Sequence, residues 1–212
     1  MSDISVKKLM AYAEILDDVF RIYIEDITPF VIRFEIENAE FPIEVQNEIR
    51  AMFNHMARAA LADDDEQIKR NIEKMRSHAK RALLDCFKCI SIICEDNYVL
   101  FMKQYENVDL TLINEGRFLT NIKNLRNSAV DAMKKAKKAE SLNTSENDLF
   151  NLYQIAYMRY EELSYNIHSA ETTVEYLYHK AAKRDRIAKW SLYLGVIGTI
   201  IGIAGFIVGF IK

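Results

Sequence analysis

Cys86, Cys89 and Cys94 form a C-x-x-C-x-x-x-x-C run, the first spacing in this chain that could do metal or redox chemistry. A closed zinc site takes four ligands, and a thioredoxin-like pair sits in a strand-rich setting. These cysteines instead lie among Leu83, Leu84, Phe87, Ile90 and Ile93, where a free thiol behaves as a small apolar side chain. Core packing in a reducing compartment is the expected role. The four histidines, His55, His78, His168 and His179, are dispersed. None has the glutamate three residues earlier that di-iron bundles use. There is no H-E-x-x-H, no glycine loop to cradle phosphate and no nucleophile elbow. The sequence therefore predicts no catalytic residues, no metal and no cofactor; it reads as a non-enzyme.

Charge offers a second kind of chemistry. The net charge of −3 hides two basic runs, "QIKRNIEKMRSHAKRALLDCFK" and "RFLTNIKNLRNSAVDAMKKAKK", while "EIENAE" and "ADDDE" are acidic. Lys69, Arg76, Lys80, Arg81, Lys123, Arg126 and Lys134 are the candidate ligand contacts. A basic concavity would attract an anionic nucleotide or a short nucleic acid. Helix charges also arise as plain solvated faces. Phe118 and Tyr98 are available for stacking, but no diagnostic aromatic interleaving accompanies the cations.

The strongest pattern is at the C-terminal end. Residues 190–211 carry no formal charge; as a helix they would extend about 33 Å, enough for a hydrocarbon core of about 30 Å. Lys180, Lys183, Arg184, Arg186 and Lys189 precede the stretch, opposed only by Asp185. Positive flanks stay on the cytoplasmic side, and Trp190 and Tyr193 fall where interfacial aromatics anchor a span. A tail-anchored, single-pass protein of the cell inner membrane is expected, with its N-terminal part cytoplasmic. "MSDISVKKLM" has no apolar region that would act as a signal peptide.

Five of the six glycines lie in that stretch: Gly195, Gly198, Gly202, Gly205 and Gly209. Their 3- and 4-residue steps fill every a and d position of a heptad frame from 195 to 209. Lipid offers no hydrophobic reason for helices to associate, so they pack closely at small residues, and a 3.5-residue repeat keeps one seam facing a partner. The expected assembly is a homo-oligomer, a tetramer or larger, with the glycine seam as its packing surface. Leu192, Thr199 and Phe206 share one flank of the seam and are the candidate pore-lining residues.

These sites must be held by helices. Two prolines and a single glycine, Gly116, outside the tail predict an all-α chain: a cytoplasmic helical bundle with long helices over 1–188, then a transmembrane helix over 189–212. The first stripe reads Leu9, Ala13, Leu16, Phe20 and Ile24, after which Pro29 interrupts. Pro42 starts a helix from about 42 to 61. "ADDDEQ" caps a long helix from near 63 towards Gly116, with a break at "ENVDL". A helix over about 117–140 and a loop at "SLNTSEN" follow, with Ser145 and Asp148 as a cap. From about 147 no strong breaker precedes the membrane, so one helix carrying Tyr153, Tyr157, Tyr160, Ser164 and Ile167 along a seam either runs on to 211 or breaks near "AKRDR".

A helical cytoplasmic domain, the absence of a catalytic motif, the basic helices and the glycine-rich membrane tail together resemble the small membrane effectors of bacterial anti-phage systems, in particular the Hailong-type channel effector. The resemblance implies oligomerisation, a short nucleic-acid signal bound by the cytoplasmic domain, and a gated channel of antiviral defence. A non-conducting tail-anchored scaffold that holds a partner at the membrane is the alternative reading.

Overall fold

The structure, a computed structural model, describes residues 10–210, with side chains described as far as residue 200. The described residues form helices, turns and loops and include no strand. The all-α expectation holds, because a chain this poor in glycine and proline offers few places to stop a helix.

Helix α1 (Ala13–Arg21) runs through a π-helical turn, Ile22–Ile27, directly into α2 (Thr28–Asn38). Pro29 does not interrupt, contrary to the sequence expectation. The widened turn accommodates a proline without breaking the chain's direction. Both the Thr28 amide and its hydroxyl donate to the Tyr23 carbonyl, the hydroxyl at 2.7 Å. The expected first stripe also fails. Ala13, Phe20 and Ile24 are exposed and Leu16 is half-buried, while Leu9 lies outside the described residues. Val19 and Ile27 are buried, with Tyr12, Ile15, Ile22 and Tyr23 packed beside them. This segment carries two apolar faces, and the π turn's extra residue rotates the second half so that Ile27, not Ile24, meets the core.

Helix α3 (Ile43–Leu61) follows Pro42, whose extended backbone forms its N-cap. A short turn leads to α4 (Asp65–Gln104), and Asp64 Oδ1 accepts the Gln67 N–H at 2.7 Å to close its first turn. The α-helix ends just before the expected break. Two 3-10 turns, Leu110–Leu112 and Asn114–Gly116, then lead into α5 (Arg117–Ser141). Gly116 has φ +82°, a backbone region that L side chains rarely adopt. Ser145 caps α6 (Glu146–Phe210), accepting the Asp148 N–H at 3.2 Å and donating its hydroxyl to Asp148 Oδ2 at 2.6 Å. This helix is continuous over 65 residues; there is no break near "AKRDR".

The chain divides into two compact units. The first comprises residues up to Tyr98 together with Asn124–Ser164. Its core has one cluster around Met52, Ile68, Ile72 and Met75 and another around Val45, Leu84, Phe87 and Tyr153. Phe87 stacks on Tyr157 at 5.1 Å between ring centroids. Each fully buried side chain of this size contributes roughly 1.5–3 kcal/mol through removal from water. The tyrosine seam of α6 packs within the chain here, with Tyr153, Ala156, Tyr160 and Leu163 buried. Arg33 on α2 holds the same helix through Glu161 Oε1 at 2.5 Å.

The second unit comprises Val99–Lys123 with residues from Tyr165 onward. Phe101, Tyr105, Phe118, Ile122 and Val174 are its buried residues of note. From Ala182 to Ile200 every residue is exposed. Among the described residues, no helix is long and apolar enough to cross a membrane. The expected span over 189–212 lies partly outside them, because the side chains of 201–212 are not described.

Candidate functional site

Three of the seven candidate ligand contacts come together in the first unit. Arg76, Lys80 and Arg81 line a cleft of about 300 Å³ with Asn147 and Phe150 at the start of α6. Ile22, Leu83 and Leu84 supply apolar wall, while Asp18, Asp26 and Glu146 bring acidic groups. Helical spacing explains the gathering: positions 76 and 80 share a face of α4, and 81 adjoins it.

The three cations are used differently. Arg76 pairs with Asp18 at 3.2 Å. Lys80 donates to Asn147 Oδ1 at 3.5 Å, and Arg81 donates to the Ser77 hydroxyl at 3.0 Å. Both of these partners are uncharged, so Lys80 and Arg81 keep their charge for a ligand. The first turn of α6 adds N–H groups and the positive end of a long helix dipole. Asp26 and Glu146 work against an anion; burial, followed by the neighbouring charge of Glu25, pushes the Asp26 carboxyl up from the ordinary aspartate value. The cleft can thus receive a small phosphate-bearing group, with the Phe150 ring beside it for an apolar or aromatic portion.

The other four candidates do not join this cleft. Lys69 is exposed on the first turns of α4, and Lys123 belongs to the second unit. Arg126 is already engaged: its Nε and Nη2 donate to the Glu95 carboxylate at 3.0 and 2.5 Å, and its guanidinium lies over the Tyr98 ring. Lys134 forms an exposed pair with Asp131 at 3.8 Å, an arrangement of little energetic weight.

In the tail, Gly195 and Gly198 face open space, with no atom within 4 Å of where a Cβ would stand. Leu192 is exposed, and the Thr199 hydroxyl donates to the Gly195 carbonyl at 2.9 Å. Gly202, Gly205, Phe206 and Gly209 continue the helix but lie beyond residue 200, where side-chain surroundings are not described.

The cysteines occupy the packed environment expected for them. Cys86 and Cys94 are buried and Cys89 is half-buried. Burial pushes all three thiols up, Cys89 to about 11 and Cys94 to about 12. No group of three or more metal-ligating side chains occurs among the described residues.

Two polar clusters escaped the sequence reading. His55 and His78 stack at 5.2 Å between ring centroids. His78 Nδ1 is 2.6 Å from Glu48 Oε2, and His55 Nδ1 is 2.9 Å from Asn71 Oδ1. Each of these two pairs is equidistant in sequence from Asp63, as expected across an antiparallel α3–α4 hairpin, and that symmetry was the available signal. The second cluster links Lys88 to Glu140 at 2.8 Å, with the Tyr153 hydroxyl donating to Glu140 at 2.5 Å. The chain matches no protein-family model, no curated protein and no solved structure.

Proposed function

We propose that this protein is a homo-oligomeric membrane effector. In this reading its glycine-lined tail crosses the inner membrane and forms a channel, and its helical domain gates that channel on binding an anionic nucleotide or oligonucleotide. One observation carries the proposal. The helix that contributes Glu146, Asn147 and Phe150 to the basic cleft continues unbroken into the tail, where Trp190, Leu192, Leu194, Val196, Ile197 and Ile200 are all exposed. A helix apolar on all sides is stable when surrounded by lipid or other protein, not by water. Glycines open to their surroundings on that helix suit close packing against further copies.

Gating follows from the shared helix. A ligand drawn to Lys80, Arg81 and the α6 N-terminus favours the domain arrangement that binds it better, and it shifts the equilibrium only by that difference in affinity. Tilt or rotation of α6 would then hydrate or dewet a constriction such as Phe206. Conduction is tested in planar bilayers with the wild type and Phe206→Ser, each with and without short oligonucleotides. The expected result is a signal-dependent current in the wild type and a raised basal current in the variant. Absence of current in both forms under both conditions would overturn the channel.

A scaffold is the second reading, favoured by a different observation. Phe20, Ile24, Ile32 and Ile36 on α1, the π turn and α2 are all exposed large apolar side chains, an unusual amount of uncovered surface for one helical segment. A scaffold would use this face for a partner and would be indifferent to Phe206→Ser.

A further inference from the structure

The turn between α2 and α3 is an apolar knob with an acidic rim. Ile36, Phe41 and Ile43 are 78%, 68% and 68% exposed. Residues 34–49 hold five glutamates and no lysine or arginine. Glu37 pairs with Arg33, while Glu35, Glu40 and Glu44 make no ion pair among the described residues. Pro42 anchors the knob: it is buried at the base, beside Phe34, Val45 and Cys89. On another flank of the same unit, Ile92, Met133 and Lys137 line a cleft of about 360 Å³ over the buried Ser91, Tyr153 and Tyr160. We infer that the α2–α3 turn of one copy docks in this cleft on the next, so that the chain closes into a ring through two unlike surfaces. The inference rests on the homo-oligomeric reading and gives it a contact outside the tail.

Charge selects this occupant. A face rimmed by glutamates repels an identical face, anionic lipid and nucleic acid, and is drawn to cations around an apolar centre. Lys137 belongs to a run with Lys134, Lys135 and Lys138 on the last turns of α5, all four exposed. Of these only Lys134 is paired, loosely, with Asp131 at 3.8 Å. Two of the three carboxylates in the cleft already have cations, Glu95 from Arg126 and Glu140 from Lys88. Asp96 makes no ion pair, and its single charge leaves the lysines in excess. Ile92 is exposed and, with Met133, supplies the apolar wall for the Phe41 ring.

Position agrees. Copies whose α6 helices run parallel are related by rotation about an axis along those helices, so two mating surfaces must stand at one height along α6. Helix α4 runs beside α6 in the same direction, with Lys80 bonded to Asn147 and Phe87 stacked on Tyr157. Pro42 shares its crevice with Cys89, and the preceding residue, Lys88, lines the cleft. The knob and the cleft therefore stand at the same height. They also stand on different flanks. Phe30 and Arg33 of α2 meet Phe87 and Cys94, whereas Glu140 and Arg126 of α5 meet Lys88 and Glu95. One residue along a helix turns the face by about 100°. Unlike surfaces on two flanks give a contact that closes by rotation, as a ring requires.

The test cross-links the full chain in mild detergent with a short bismaleimide. A chain carrying both Phe41→Cys and Ile92→Cys should give a ladder of covalent multimers. Each single variant should give no more than the wild type, in which Cys86 and Cys94 are buried and Cys89 is half-buried. Adding Lys137→Glu with Lys138→Glu to the double variant should lower the yield about tenfold by setting like charges together. Adding Glu40→Lys with Glu44→Lys as well should restore it, a rescue that a misfolded chain would not show. Links formed by Phe41→Cys alone would mean that the turn meets its own copy, and they overturn the inference. A ladder unchanged by the lysine reversals does the same. Light scattering separates the two levels. A wild-type monomer sinks the homo-oligomeric reading and this contact with it. A wild-type oligomer in which the double variant forms no link sinks the contact alone and leaves the turn to a basic partner of another kind.

Discussion

The two ends of α6 are one helix in two environments. Near its start, Tyr153, Ala156, Tyr160 and Leu163 are buried against the chain's own core, while Asn151, Gln154 and Arg159 are exposed together with Ile155 and Met158. Past Ala182 every described residue is exposed, including Trp190, Leu192, Leu194 and Ile197. Backbone hydrogen bonding is satisfied within the helix in both places, so the difference lies in what covers the side chains. The first end takes its stability from the folded unit. In the proposed function, lipid and further copies of the chain cover the second.

The largest expected effect contrasts a core tyrosine with a tail leucine. Tyr153 is 1% exposed; its loss would remove the ring and leave the Lys88–Glu140 pair short of a partner. Tyr153→Ala should cost about 3–5 kcal/mol, by analogy with other large-to-small core changes. Leu194→Ala should change the stability of the first unit by less than about 0.5 kcal/mol. Denaturant unfolding of the full chain in detergent, followed by circular dichroism, compares them. Similar losses would show that the tail supports the fold and would break the contrast.

Assembly comes next. Because a Cβ at Gly198 would meet nothing within 4 Å in the single chain, Gly198→Leu should leave the chain folded. Any effect must arise where another helix approaches. The expected outcome is a shift from oligomer to smaller species, at least about tenfold in the association constant, as for about 1.4 kcal/mol of lost packing; Ile200→Leu should be mild. Light scattering in mild detergent reads both. An oligomer unchanged by Gly198→Leu removes the glycine register from the account.

The basic cleft gives a smaller effect of defined sign. With ATP as the probe, Lys80→Glu with Arg81→Glu should weaken binding by about tenfold or more, and wild-type affinity should fall with salt as counterions are displaced. Asp26→Asn should tighten binding a few-fold by removing a negative charge from the wall. Calorimetry at two salt concentrations decides it. Unchanged binding in the reversed pair returns these residues to a solvated face.

Much of this architecture was legible in the residues. Scarcity of glycine and proline announced the helices, and Asp64, Ser145 and Pro42 marked three helix starts because a cap or a missing N–H is a local property. What failed was information carried by contacts. Pro29 reads as a break locally, but the π turn before it, with Thr28 bonded twice to Tyr23, carries the helix through. Phe20 and Ile24 match a helical stripe as well as Val19 and Ile27 do; only packing against α3 and α4 selects between them. Arg126 looks as available as Lys80 in the sequence, yet Glu95, 31 residues earlier, takes up its guanidinium. Arg76, Lys80 and Arg81 were recognisable as neighbours on one helix, but Asn147 and Phe150 join them only through the fold.

The smallest expected effect sharpens the description of the core end of α6. Burial acts to raise the Glu140 carboxyl, but hydrogen bonds from Lys88 and Tyr153, with the charges of Lys88 and Lys137, outweigh it and hold the group below its ordinary value of 4.5. A carboxylate depressed by folding contributes stability above its unfolded value, and that contribution disappears as pH falls through the folded value. Glu140 is 44% exposed, so solvent screening keeps the contribution under about 1 kcal/mol. Asp85, which burial pushes upward against the pull of Lys88, titrates in the opposite sense but is common to both proteins. The difference between the wild type and Glu140→Gln isolates the term. Wild type should be the more stable near about pH 7, and the gap should close towards about pH 3 as Glu140 protonates. Parallel unfolding midpoints for the two proteins across that range would show that the Lys88–Glu140–Tyr153 cluster positions α6 without drawing stability from the ionised carboxylate.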